Sequence, residues 1–158
     1  MMLIMIDLAD AMAAAELLAF QRRAYQSEAE LIGYGALPPL RESLPDLLDS
    51  GETILGWRVE DELVGAIGYT ANMVEVTICR LAVTPAYRRR GIAAKLLQAV
   101  IYEAGPRAVV ASTAKANLPG VALYEHLGFH LREEQTTPDG LPLVQMQRLG
   151  ERPVNLKQ

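Results

Sequence analysis

The sequence predicts an α/β chain, in finer terms α+β, with a mixed central sheet of about seven strands and helices on both faces. Three observations carry that expectation. Residues 53–83 are rich in β-branched and aliphatic side chains and are interrupted only by turn residues, as in an antiparallel meander. Residues 92–104 carry an apolar stripe at helical spacing. A further strand-like run, 107–113, follows that helix, and an intervening helix permits a parallel crossover that a tight hairpin does not.

In chain order, residues 2–6 read as a short strand. Asp7 or Asp10 can cap the Ala-, Leu- and Met-rich helix that follows, expected to reach about Tyr25. Pro38-Pro39 stops any continuation, and a second short helix is expected from about Leu40 to Leu48, ended by Ser50-Gly51. The meander divides into strands at 53–59, 63–71 and 74–83, with turns at Glu60-Asp61-Glu62 and at Asn72. Helix 92–104 should bury Ala93, Leu96, Leu97, Val100 and Ala104, and Gly105-Pro106 ends it. After the strand at 107–113, Asn117 can cap a helix to about Leu127 that Gly128 closes. Residues 129–135 and 141–149 then form a hairpin around Thr137-Pro138-Asp139-Gly140. Residues 1–150 are expected to make one domain, and 151–158 a polar tail.

The formal charge of −4 makes a broad nucleic-acid footprint an unfavourable reading, because Arg88-Arg89-Arg90 is a local basic feature in an acidic chain. The single Cys79 forms no internal disulfide, and no paired-cysteine metal spacing occurs, so a reducing cytoplasm is the expected compartment and no metal is expected. No Lys or Arg precedes Arg22, and Asp7, Asp10 and Glu16 interrupt the apolar start; this fits neither a signal peptide nor a membrane span.

Arg88-Arg89-Arg90-Gly91-Ile92-Ala93 joins the meander's last strand to the start of helix 92–104. The first N–H groups of a helix have no internal partners and their dipoles favour an anion, so this junction is suited to phosphate. Neither a nucleotide-triphosphate loop nor a dinucleotide fingerprint is present, since Gly91 lacks the additional glycines both require. The run resembles instead the pyrophosphate loop of the GNAT superfamily, the acetyl-coenzyme A-dependent N-acetyltransferases, with Arg88, Gly91 and Ala93 at its three defining places. The order of elements is similar to the GNAT fold over essentially the whole chain. The resemblance implies a V-shaped splay between strands 4 and 5, with the backbone of Leu81, Ala82 and Val83 pairing with the pantetheine arm of acetyl-CoA. It also implies that Arg88, Arg89, Arg90, Gly91, Ile92 and Ala93 hold the pyrophosphate.

A second signature supports the resemblance: Asn117 lies seven residues before Tyr124, and Gly128-Phe129 closes the helix. By that resemblance Asn117 contacts the cofactor arm and Tyr124 reaches its sulfur. Gly120 stands where family members usually have Ala, a departure with no expected chemical consequence. Acetyl transfer to an amine needs an oxyanion donor, an acid for the leaving thiolate and a base. A backbone N–H near Leu81 or Ala82 is the expected oxyanion donor, and Tyr124 the expected acid. Glu75, on the parity of Thr77, Cys79 and Leu81, is the first choice of base; a bulge can reverse that parity. Glu28 and Glu30, expected between the first two helices at the acceptor site, are the rivals. Cys79 reads as a small buried hydrophobe and Arg80 as an outward polar position.

The expected activity is therefore transfer of an acetyl group from acetyl-CoA to a primary amine of a small molecule or peptide, by direct attack in a ternary complex. A non-catalytic acyl-CoA sensor is the alternative. Glu28, Glu30, Glu42, Asp46 and Asp49, set against Arg41 alone, would attract a cationic acceptor. Nucleic acid and membrane are not expected partners, and a homodimer through an edge strand is compatible with the family.

Overall fold

The structure, a computed structural model, describes residues 2–33 and 42–150. Strand β1 (Met2–Ile6) leads into helix α1 (Ala11–Ile32), followed by the short α2 (Leu44–Leu48) and the meander β2 (Thr53–Val59), β3 (Glu62–Ala71) and β4 (Glu75–Val83). A 3₁₀ turn at Pro85–Tyr87 enters α3 (Ile92–Ala104), and β5 (Ala108–Ala114), α4 (Leu118–His126), β6 (His130–Thr136) and β7 (Pro142–Arg148) follow in that order.

Local signals explain most boundaries. Asp10 caps α1 by accepting the N–H groups of Met12 and Ala13. The helix runs past the expected stop at Tyr25 because Gln26 to Ile32 contains nothing hostile to a helix, and it ends where Gly33 adopts φ +68°. Glu28 and Glu30 are therefore helical and do not lie in a connecting segment. Helix α2 begins at Leu44, later than expected, because Ser43 and Asp46 form a reciprocal capping box with Pro45 in the first turn. The Pro38-Pro39 stop and Leu40 lie outside the described residues, as does the tail at 151–158.

All seven strands join one sheet in the order β1-β2-β3-β4-β5-β7-β6. Helices α1 and α2 cover one face, burying Leu17, Phe20 and Leu47 against Ile54, Leu63 and Ala66. Helix α3 covers the other, where Leu96, Leu97 and Val100 pack with Ile67, Val76 and Val109, and Tyr124 and Phe129 join the same cluster. Among the described residues, no helix is long and apolar enough to cross a membrane.

Two irregularities shape the middle of the sheet. The pairing of β4 with β5 is parallel and extends only from Glu75↔Ala108 to Ile78↔Ala111. Antiparallel pairing with β3 continues along β4 to Val83, but its register jumps from Tyr69↔Ile78 to Gly68↔Arg80, which leaves Cys79 as the extra residue of a bulge. The bulge reverses side-chain parity. Val76 and Ile78 face the α3 core, and beyond the bulge Leu81 and Val83 do so, while Arg80 reaches residues on the α1 and α2 side. Glu75 and Leu81 thus fall on opposite faces, contrary to the parity that the sequence alone implies.

Candidate active site

The site grows from the strand edge that β5 abandons. Beyond Ile78, no strand among the described residues lies beside the outer side of β4, and α1 crosses the opening. Tyr25, on the buried face of α1, accepts the Leu81 N–H at 2.9 Å and donates its hydroxyl proton to the Leu81 carbonyl at 3.1 Å. Two residues on, the Val83 carbonyl accepts from Arg88 Nε at 3.3 Å.

The basic turn is built by backbone conformations that suit a tight approach. Arg89 and Gly91 have φ of +64° and +78°. At Gly91 this left-handed geometry favours glycine, and a Cβ placed there would point into open space. Among the described residues no side chain caps α3, and the first N–H groups of a helix have no partner within it. The three arginines, alike in sequence, separate in space. Arg88 turns back onto α1 and donates to Ser27 Oγ at 2.8 Å and to the Ala24 carbonyl at 3.3 Å. Arg90 lies over the Tyr87 ring at 4.8 Å. Arg89 is exposed beside the helix start. Ile92 is buried in the core beneath the turn, with Ala93 packed partly against it.

Across the opening, Asn117 joins three elements. Its side-chain oxygen accepts the Gly120 N–H at 3.2 Å and so caps α4, while its Nδ2 donates to Glu28 Oε1 at 2.6 Å and to Thr113 Oγ1 at 3.3 Å. Burial raises the Glu28 carboxyl above its ordinary value, against the opposing pull of the Asn117 hydrogen bond and the Arg88 charge. Tyr124 is 5% exposed, edge-on to Phe129 with ring centroids 5.2 Å apart. Burial first, and the nearby Glu28 charge second, push its hydroxyl above the usual tyrosine value, so it stays protonated at neutral pH. A Cβ at Gly120 would come within 2.7 Å of Asn117 Nδ2, the atom that holds Glu28.

The structure does not bring every predicted group to this opening. Glu75 sits at the far start of β4, bound to Arg132 at 3.2 Å, and six residues of strand place it roughly 20 Å from Leu81. Glu30 is exposed on α1. His126 is exposed as well. Cys79 is an exposed free thiol at the bulge and not a buried hydrophobe. Arg80 departs most from its reading as an outward polar residue. It is 8% exposed and makes two-pronged contacts with both Glu42 and Glu52, with a further bond to Gln21 Oε1 at 2.7 Å. The acidic segment is correspondingly less available to a cationic ligand than its composition suggests, because Glu42 is neutralised by Arg80 and Asp46 closes the Ser43 cap. No sequence signal marked the Arg80 cluster, whose members lie up to 59 residues apart.

These features, a parted strand pair, an open helix start after a basic turn, and an Asn–Tyr helix, agree with a family model described as an acetyltransferase (GNAT) domain, which matches residues 22–149. The chain belongs to the GNAT acetyltransferase family. This GNAT domain is 40% identical over 135 residues to the UPF0157 protein YqkA of Bacillus subtilis, covering 85% of the chain and 39% of YqkA. The chain thus spans about two fifths of that relative. Its fold matches the ribosomal-protein-S18-alanine N-acetyltransferase of Escherichia coli with a TM-score of 0.76 at 19% identity, covering 98% of this chain and 97% of that one. The PaiA N-acetyltransferase of Thermoplasma acidophilum, solved in complex with coenzyme A, matches with a TM-score of 0.73 at 18% identity over 94% and 99% of the two chains.

Proposed function

We propose that this GNAT domain transfers an acetyl group from acetyl-CoA to a primary amine of a small molecule or peptide, by direct attack while both substrates are bound. The observation that carries the reading is the convergence of Glu28, Asn117 and Tyr124 beside the parted edge of β4. The cofactor supplies an acyl group activated as a thioester. Everything else is the work of this chain's residues.

The edge of Leu81, Ala82 and Val83 offers backbone groups to an extended amide-bearing arm, as a strand edge does in β-augmentation. The N–H groups at the start of α3, from Gly91 to Ala93, take the pyrophosphate, and Arg89 adds positive charge beside them. Glu28 is the base in this reading, and Glu75 is not, because Glu75 is tied to Arg132 at the far start of β4. The raised Glu28 carboxyl is better matched to an ammonium proton than an ordinary glutamate, and Asn117 orients it. Tyr124 stays protonated and donates to the departing sulfur. The lone exposed Cys79 accords with a reducing, cytoplasmic setting.

Calorimetric titration with acetyl-CoA tests the reading. Gly91→Asp places a carboxylate and a side chain at φ +78° where phosphate is to sit, and should weaken binding at least about a hundredfold with the fold intact. An unchanged affinity would move the phosphate site elsewhere. Tyr124→Phe should keep acetyl-CoA affinity within about threefold and lower turnover by about 10²-fold, the effect of removing a general acid, measured as free thiol released in an amine screen. Equal turnover in wild type and variant would remove Tyr124 from the chemistry.

A further inference from the structure

The contact between Tyr25 and Leu81 is more than helix-to-sheet packing. Helix α1 is already anchored upstream by the buried Leu17, Phe20 and Ala24. At Tyr25 the hydroxyl engages both the N–H and the C=O of a single residue, at 2.9 and 3.1 Å. A neighbouring strand satisfies one residue of an antiparallel or parallel ladder through the same two groups. Leu81 lies three residues beyond Ile78, the last β4 residue that β5 pairs. The hydroxyl therefore takes the place of the strand that has left. Arg88 Nε treats the next outward carbonyl, that of Val83, in the same way, and its other nitrogens bind Ser27 and Ala24 on the same helix.

Partly buried backbone groups without partners are costly, so the edge of β4 beyond Ile78 gains from an occupant before any ligand arrives. We infer that the Tyr25 hydroxyl is a placeholder for the acyl-CoA arm: it reserves the N–H and C=O of Leu81, is displaced when the arm pairs there, and thereby sets the affinity for acetyl-CoA. The inference rests on the acetyl-CoA reading given above. It makes Tyr25 a positioning residue, acting through the backbone of Leu81 and not on the reacting atoms. Its consequence runs against intuition, because removing a polar group from the site should tighten binding. In the wild type the arm exchanges one set of hydrogen bonds for another, whereas without the hydroxyl it satisfies groups that are otherwise unpaired.

The test compares wild type with Tyr25→Phe, which keeps the ring that packs near Ala29 and Leu141 and removes only the hydroxyl. Acetyl-CoA should bind the variant about tenfold more tightly by calorimetry, the equivalent of roughly one to two net hydrogen bonds. Hydrogen exchange supplies a second readout independent of turnover. The Leu81 amide should be protected in free wild type, exchange faster in free Tyr25→Phe, and regain protection there when acetyl-CoA is added. A variant that binds with unchanged or weaker affinity would show that Tyr25 stays with the bound arm and would overturn the inference alone. Equal protection of Leu81 in both free proteins would do the same. If neither folded protein binds acetyl-CoA, the cofactor reading falls and this inference falls with it.

Discussion

Glu28→Gln should lower kcat/KM for the amine acceptor by about two to four orders of magnitude, the range associated with loss of a general base. The substitution is nearly isosteric, and the new amide oxygen can still accept from Asn117 Nδ2, so the cap of α4 and the position of α1 should survive. Wild-type kcat/KM should fall as pH drops through the Glu28 ionisation, above the ordinary glutamate range because burial raises it. In the variant this acid limb should disappear from the pH profile. An acid limb that persists at the same pH would assign the base to another group. Stability should fall as Glu28 ionises. A carboxyl raised in the folded state contributes stability that is present below its unfolded value and lost as pH rises through the folded one. At neutral pH the native protein therefore bears the cost of ionised Glu28, and Glu28→Gln should melt at the same temperature or higher. Lower activity with undiminished stability separates a chemical role from a structural one.

Arg80→Met should have the largest effect on stability, a loss of about 3–5 kcal/mol in urea denaturation, because it strands two carboxylates inside the protein. The side chains of Arg80 and Glu52 are 7% and 6% exposed, and Arg80 forks to Glu52 and Glu42 together. Burial alone would draw the Arg80 proton affinity down; the hydrogen bonds and charges of the two glutamates outweigh it and raise it. Burial likewise works against the Glu42 charge, and the bonds from Arg80 and Gln21 reverse this and hold its carboxyl below the ordinary range. In wild type, then, the Glu42 contribution is present above its unfolded value and lost as pH falls through the lowered folded one. In Arg80→Met the dependence should invert, with stability improving as pH falls and the stranded Glu42 takes up a proton. Adding Glu42→Gln and Glu52→Gln to Arg80→Met should recover much of the loss, since a neutral cluster carries no uncompensated charge. A single variant within 1 kcal/mol of wild type would mean that water reaches the cluster freely.

The contacts of Arg80 also explain how a charged residue can occupy a central strand beside the open edge of β4. It follows the bulge at Cys79 and precedes Leu81, so the two-pronged contacts hold the backbone at the point where β4 must stay paired with β3 while parting from β5. The same cluster ties Glu42, just ahead of α2, to the sheet.

Elements whose cause is local were legible from the residues. The strands at 2–6 and 53–59 and the helix at 92–104 have the bounds their patterns predicted, and Asn117 caps α4 as expected. Helix α1 runs past Tyr25 because Gln26, Glu28, Ala29, Glu30 and Leu31 are good helix formers and no breaker comes before Gly33. The family followed from the Arg88 to Ala93 turn and the Asn117 to Tyr124 spacing, both short-range patterns.

The assignment of chemistry was legible only in part. Tyr124 and Asn117 come from one helix and its cap, so spacing alone related them. Glu28 gained its place through an 89-residue separation from Asn117, and Tyr25 meets Leu81 across 56 residues. Periodicity holds no information about such pairs. A single extra residue at Cys79 then reversed the parity that had favoured Glu75 and moved Arg80 from the α3 face to the α1 and α2 side. The sequence by itself determined the elements, their order, the phosphate-suited turn and the Asn–Tyr pair, because these depend on backbone preference and short-range spacing. Tertiary structure alone decided which carboxylate stands beside Tyr124, what occupies the open edge of β4 and where Arg80 finds its charge partners, because burial and long-range packing set those contacts.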